Sequence, residues 1–324
     1  MVERIPDRIW ACALVVPFLI GFSMGPDRGG RVEFTFGDPA IVESSGLVAL
    51  KGRFFTVNDS GDSARVFVVD PGSGRTVRTL TWGEGDPEDV EALAPYGEDA
   101  VLVGDIGDNT ASRASVSIAV VPVVPDAGEA TSYSLVYPDE ASDAETLMVH
   151  PVTQQVLVVT KGIFGGTLYA APPRLVAGRP NRLAIMGDLL PIATDGAFFP
   201  SGDHFVVRDY SRAVVYTYPG LETVGSFDLP QQEQGEGIAV DARGDVFVST
   251  EGQFSDVLAV EVPAEIRREV SPAPDPTPGP APNTPAATED QDSGSASTPV
   301  WPWLLTGVAA TCLVVVLLRS LRPR

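Results

Sequence analysis

Five acidic residues recur where a common role could be built. Glu43 (in ESSGLVAL), Glu91 (EDVEALAP), Glu145 (DAETLMVHP), Asp195 (TDGAFFPSG) and Glu236 (GEGIAVDARG) each stand just before a short apolar stretch, at intervals of about 40 to 55 residues. Five carboxylates gathered on one axis could not all ionise unaided, because like charges raise one another's pKa. A hard cation resolves the conflict, and calcium, which takes six to eight oxygen ligands in variable geometry, suits an all-oxygen donor set. Asn58, Asp59, Asp105 and Glu251 close the next apolar stretch of their repeats and extend that set, so Asp59 and Asp105 join the five as expected metal ligands. The competing role for the Asp, Asn and Gly of NDSGD and DIGDN is to cap β-turns. Lys161 in VVTKG is one of two lysines in the chain, and Arg208 and Asp209 occupy the matching place in VVRDY. Together they could hold an anionic ligand beside the metal, or the two cations could simply neutralise neighbouring carboxylates.

Composition removes other chemistries. The 324 residues carry 22 Lys+Arg against 43 Asp+Glu, a formal charge of −21, which repels phosphate backbones and argues against nucleic acid as a partner. Cys12 and Cys312 are the only cysteines and lie in apolar runs near the termini, so nothing between them can form a disulfide or a thiolate metal site. With only His150 and His204 present, a three-histidine zinc site is excluded, and no Ser or Cys lies near a His at motif spacing.

The elements that must position these residues are short strands with period-2 alternation, punctuated by Gly, Asp and Pro. After each acidic start come a second strand (RFFTVN, AVLVGD, QVLVVT, HFVVR, DVFVST) and a third (RVFVVD, SIAVVP, TLYAA, VVYTY, VLAVEV). Fourth strands follow in four repeats, and the unassigned segment RVEFTFG is free to supply the fifth. This predicts an all-β domain over residues 31–270: a β-propeller of about five four-stranded blades, closed by its N-terminal strand. Six blades fit if the connection Pro122 to Ser132 hides strands, and a β-sandwich is the rival architecture.

ESSGLVAL, NDSGDSARVFVVD, EDVEALA, VGDIGDN with Arg113 behind it, YPD followed by DAETLMV, VVTKG and QGEGIAV resemble the signatures of uncharacterised secreted actinobacterial propeller proteins of WD40-like type. The resemblance runs over about residues 41 to 262, and Pro87-Glu88-Asp89 stands where that family has Trp-Glu-Asp. More distantly, the chain is similar to phytase-like and NHL-type propellers. The phytase-like resemblance implies calcium and phosphoester chemistry, with its basic cluster reduced here to Lys161 and Arg208.

The ends suggest a location. An apolar run over residues 9–25 behind Arg4 and Arg8 reads as a signal peptide or N-terminal anchor spanning residues 1–25. Residues 271–300, rich in Pro, Ala, Thr and Ser, read as a disordered stalk, and 301–318 as a transmembrane helix followed by a basic cytoplasmic tail, 319–324. The expectation is a single-pass cell-membrane protein with its propeller outside, acting as a binding module for a surface protein, glycan or small ligand. The alternative is a calcium-dependent hydrolase, a phosphoesterase or lactonase, with a carboxylate as general base.

Overall fold

A computed structural model describes residues 30–83, 86–124 and 128–271. The terminal runs 1–25 and 301–318, the stalk beyond Ser271 and the tail lie outside the described residues. Among the described residues, no helix is long and apolar enough to cross a membrane.

Five antiparallel sheets make a five-bladed β-propeller. Blade 1 runs from the axis outward as β2 (Ser44–Leu50), β3 (Arg53–Asn58), β4 (Arg65–Asp70) and β5 (Arg75–Thr81). Blade 2 is β6 (Val90–Tyr96), β7 (Ala100–Asp105), β8 (Val116–Pro122) and β9 (Thr131–Val136). Blade 3 is β10 (Ala144–Val149), β11 (Val156–Thr160), β12 (Gly166–Ala170) and β14 (Ala184–Leu189). Blade 4 comprises β15 (Asp195–Phe198), β16 (His204–Arg208), β17 (Arg212–Thr217) and β18 (Thr223–Asp228). Blade 5 takes β19 (Gly235–Val240), β20 (Val246–Thr250) and β21 (Asp256–Val260) from the C-terminal side and β1 (Arg31–Thr35) from the N-terminal side. Each inner strand packs on the next, and β19 on β2, so the ring is closed.

The core explains the sequence pattern. Each sheet is sandwiched between two others, so its middle strands bury both faces and read as continuous apolar runs. In β3, Phe54 packs toward blade 5 and Phe55 and Val57 toward blade 2. Five hydrophobic clusters result, one at each blade interface. Outer strands face solvent on alternate residues, as in β5, RTVRTLT. At the axis the inner strands approach so closely that a Cβ on Gly46 would come within 2.8 Å of Leu93, and one on Gly237 within 2.8 Å of Leu47.

Two elements fall outside the repeat. The two-residue β13 (Asn181–Arg182), from the segment between β12 and β14, pairs parallel with β9 as a fifth strand of blade 2. Asn181 fixes it, accepting from Val176 N at 2.8 Å and donating to Ser134 O at 3.0 Å. A short helix, α1 (Ala264–Val270), buries Ile266 and Val270 in the cluster between blades 4 and 5. Among the described residues, the connection after Pro122 adds no further blade.

Candidate ligand-binding mouth of the channel

The inner strands all start at the same end of the channel, and there the repeat carries a shared irregularity. In blades 1, 2, 3 and 5 the pairing of inner and second strand slips across one or two residues: Ser45, Glu91, Glu145, and Glu236 with Gly237. Such a bulge re-aims the side chain it carries. Glu91, Glu145 and Glu236 are consequently buried at the channel mouth. In blade 1 the bulged position belongs to Ser45, not to Glu43. Glu43 lies two residues earlier and is exposed, which corrects the expected fivefold ring.

Asp195 has no bulge and is fully buried. Its carboxylate accepts from Gly196 N and Ile238 N, each at 2.8 Å, and from the backbone of Leu47, joining the inner strands of blades 4, 5 and 1. Burial still raises its pKa well above the usual carboxylate range. Asp105 is likewise engaged locally: it accepts from Asp89 N at 2.9 Å and pairs with Arg113 at 2.9 Å. It matches Asn58, whose Oδ1 accepts from Val42 N at 3.0 Å, rather than Asp59, and that one-residue step turns it away from the channel.

The carboxylates that do converge are Asp59, Asp89 and Glu91, which each bring an oxygen within 4.8 Å of the others. Asp89 was not foreseen. Burial, then the charges of Asp59, Glu145 and Asp89, push the Glu91 carboxyl up to about 10. Asp89 is raised by burial and by Asp59 and Asp143. No Lys, Arg or His among the described residues forms an ion pair with any of the three.

Across the mouth, blade 3 carries an ion pair of its own. Lys161 pairs with Glu145, and its ammonium lies 5.4 Å from the Tyr210 ring centroid. Burial opposes the lysine's charge, but Glu145 and Tyr210 outweigh it and raise its pKa. Burial lifts Glu145 to about 8 against the pull of Lys161. Glu236 is raised by burial, moderated by Lys161 and Arg208. Glu251 is lifted to about 7 by burial and by Glu236, Asp59 and Glu43. Arg208 is wholly buried and held down to about 10 by desolvation, yet touches no carboxylate. Its fork donates to Asp209 O (3.1 Å), Gly237 O (3.0 Å), Ser249 O (3.3 Å) and Gln232 Oε1 (3.3 Å). Asp209 caps its own turn, accepting from Ser211 N and Arg212 N at 2.8 and 2.9 Å. The loop acids Asp62 and Asp108 do the same, Asp108 accepting from Ser112 N and Arg113 N.

No protein-family model and no curated protein sequence matches this chain. Among solved structures, it is similar to a chain of a nidogen/laminin complex, with 11% identity, 66% of this chain and 74% of that one covered, and a TM-score of 0.43. It is also similar to the Myceliophteria thermophila Cps50 (Swd1) β-propeller domain, with 12% identity, 67% and 64% covered, and a TM-score of 0.39. The five-bladed assignment rests on the strand pairing itself.

Apolar residues stand beside the acidic mouth. The loop after β11 exposes Ile163 and Phe164 between Gly162 and Gly165, and the loop after β20 exposes Phe254. Both histidines lie at the other end of the channel: His150 follows β10 with its ring tilted at 53° and 5.1 Å from that of Phe198, and His204 opens β16.

Proposed function

We propose that the protein is a binding module whose acidic channel mouth takes a divalent cation, calcium, on Asp59, Asp89 and Glu91, and presents the surrounding loops to a partner. The observation that carries this is the convergence of three carboxylates, one of them buried, with no ion pair to a cationic side chain among the described residues. Ionising Glu91 there is costly without a counter-charge, and a hard cation with oxygen ligands supplies one. The donors fit calcium: three carboxylates, with coordination left for water or a partner's oxygen. Exposed Ile163, Phe164 and Phe254 beside a negative mouth suit a protein segment carrying both basic and apolar side chains. The same reading puts the module outside the cell membrane on the stalk and apolar segment 301–318, supported by the sequence of those residues.

Calorimetric titration of the full chain with calcium tests the site. Saturable binding that weakens at least tenfold in Asp89→Asn, with Glu43→Gln close to wild type, is the expected result. Absence of calcium binding, or binding indifferent to Asp89→Asn, would sink the proposal.

A further inference from the structure

The opposite end of the channel is built differently. A cavity of about 620 Å³ opens there, and the far ends of all five inner strands contribute to its wall, through Leu50, Pro95, Val149, Phe198 and Val240. Its size falls within the range of small-molecule sites, about 300–1,000 Å³. Phe54 and Phe247 cross edge-to-face at 5.1 Å, and with Phe198 they line the cavity from blades 1, 5 and 4, each ring otherwise buried in the blade clusters. Pro95 at the end of β6 and Pro71, Pro151 and Pro200 in the adjoining turns complete the rim; proline has a fixed φ and no N–H, so this rim is stiff and donor-poor.

The basic side chains of this rim are already paired, and of its acids Glu33 pairs with Arg31 at 2.7 Å while Glu98 stands exposed to solvent. Lys51 pairs with Asp99, Arg53 with Asp70 at 2.6 Å, and Arg243 with Asp241 at 2.9 Å. An anion would find no unpaired basic side chain among the described residues here, and a cation would find only the solvated Glu98 in place of the dense acidity of the other mouth. One neutral polar group stands out. Gln154 Nε2 donates to Pro151 O at 3.0 Å, while its Oε1, on the Gly97 side of the rim, accepts no hydrogen bond from a described residue.

From this geometry we propose that the cavity is a second binding site, specific for a small uncharged aromatic heterocycle whose ring lies among Phe54, Phe198 and Phe247 and whose N–H meets Gln154 Oε1. Aromatic side chains lining a largely apolar, open-mouthed pocket provide affinity, and a single acceptor sets orientation. Because the site is at the far end of the channel, it stands whether or not the acidic mouth binds calcium.

Saturation-transfer NMR with indole on the full chain reads the site directly. The expected result is transfer to indole that falls at least tenfold in Ala49→Trp, which fills the cavity, and is unchanged in Phe164→Ser at the other mouth. A photoreactive uncharged indole on wild-type protein guards against a misfolded Ala49→Trp variant. Labels mapped by mass spectrometry to residues 49–54, 95–98, 149–154, 198–200 or 240–247 support the site. Labels confined elsewhere, no transfer at millimolar indole, or stronger competition by a blocked Ala-Trp-Ala peptide than by free indole would overturn the proposal, the last in favour of a protein side chain as occupant.

Discussion

Glu91 concentrates the electrostatic cost of the acidic mouth. Its folded-state pKa, about 10, lies above the ordinary 4.5, so the folded protein keeps a proton that the unfolded chain releases. Stability contributed this way is present below pH 4.5 and is lost as pH rises toward the folded value. Glu145 and Glu251, raised to about 8 and 7, act with the same sign over narrower windows. Metal-free protein should therefore melt progressively lower from pH 5 to pH 8. Glu91→Gln keeps the shape of the protonated acid and should flatten that slope, gaining about 2 kcal/mol at pH 8 without metal. Saturating calcium should reverse the order, since the variant loses a charged ligand. Thermal melts of both proteins at each pH, with and without chelator, check this; parallel slopes would mean that Glu91 carries no such cost. Arg208 sets the opposite case, a buried cation whose fork meets carbonyls on β19 and β20 and so joins blade 4 to blade 5. Arg208→Met strands those acceptors and should cost about 3 kcal/mol or more in urea unfolding, and Arg208→Lys should recover little because a lysine cannot reach them together.

At the level of elements, the repeat was legible as far as strand order, and register was where sequence ran out. Blade count, the order of strands in each blade and closure by RVEFTFG all follow from alternation and spacing, because the sheets repeat one packing problem. The bulge is different: it costs one residue of register, and nothing in ESSGLVAL says which of Glu43, Ser44 and Ser45 takes the bulged place. A signal was nonetheless present, since DVE at 89–91, DAE at 143–145 and QGE at 234–236 share a two-residue step that aligns Ser45, not Glu43, with the buried acids. The same step would have singled out Asp89. β13 left no trace, because a two-residue parallel strand has no periodicity, and its cause is one side chain. Asn181→Ala should accordingly loosen only the segment between β12 and β14, at a cost of about 1 to 2 kcal/mol, seen as faster hydrogen exchange there with β10 and β11 unaffected. Equal acceleration across blade 3 would show that β13 supports more than its own loop.

The molecule as a whole depends on joining its two ends. β1 contributes the outermost strand of blade 5 while the other three come from more than 200 residues later, so this one sheet converts an open row of blades into a ring. β1 covers the edge that β21 would otherwise leave unpaired, and closing the ring packs β19 against β2 and makes every blade interface conditional on the last. Phe34 is the residue that locks the closure. It is buried in the cluster between blades 5 and 1, with ring centroids 5.5 Å from Phe36 and 5.0 Å from Phe54. Phe34→Ala should cost about 3 to 4 kcal/mol through lost burial and the cavity left behind, whereas Val32→Ala, at a half-exposed position on the same strand, should cost less than about 1 kcal/mol. Cooperativity decides between a ring and a row. In a ring the Phe34→Ala loss appears equally in the slowest-exchanging amides of β11, on the far side of the axis, and in those of β20 beside the lesion. In a row of nearest-neighbour blades it would be confined to blades 5 and 1, as in solenoids whose repeats unfold semi-independently. Native-state hydrogen exchange at both strands separates the two, and protection of β11 unchanged by Phe34→Ala would mean that closure stabilises only the seam.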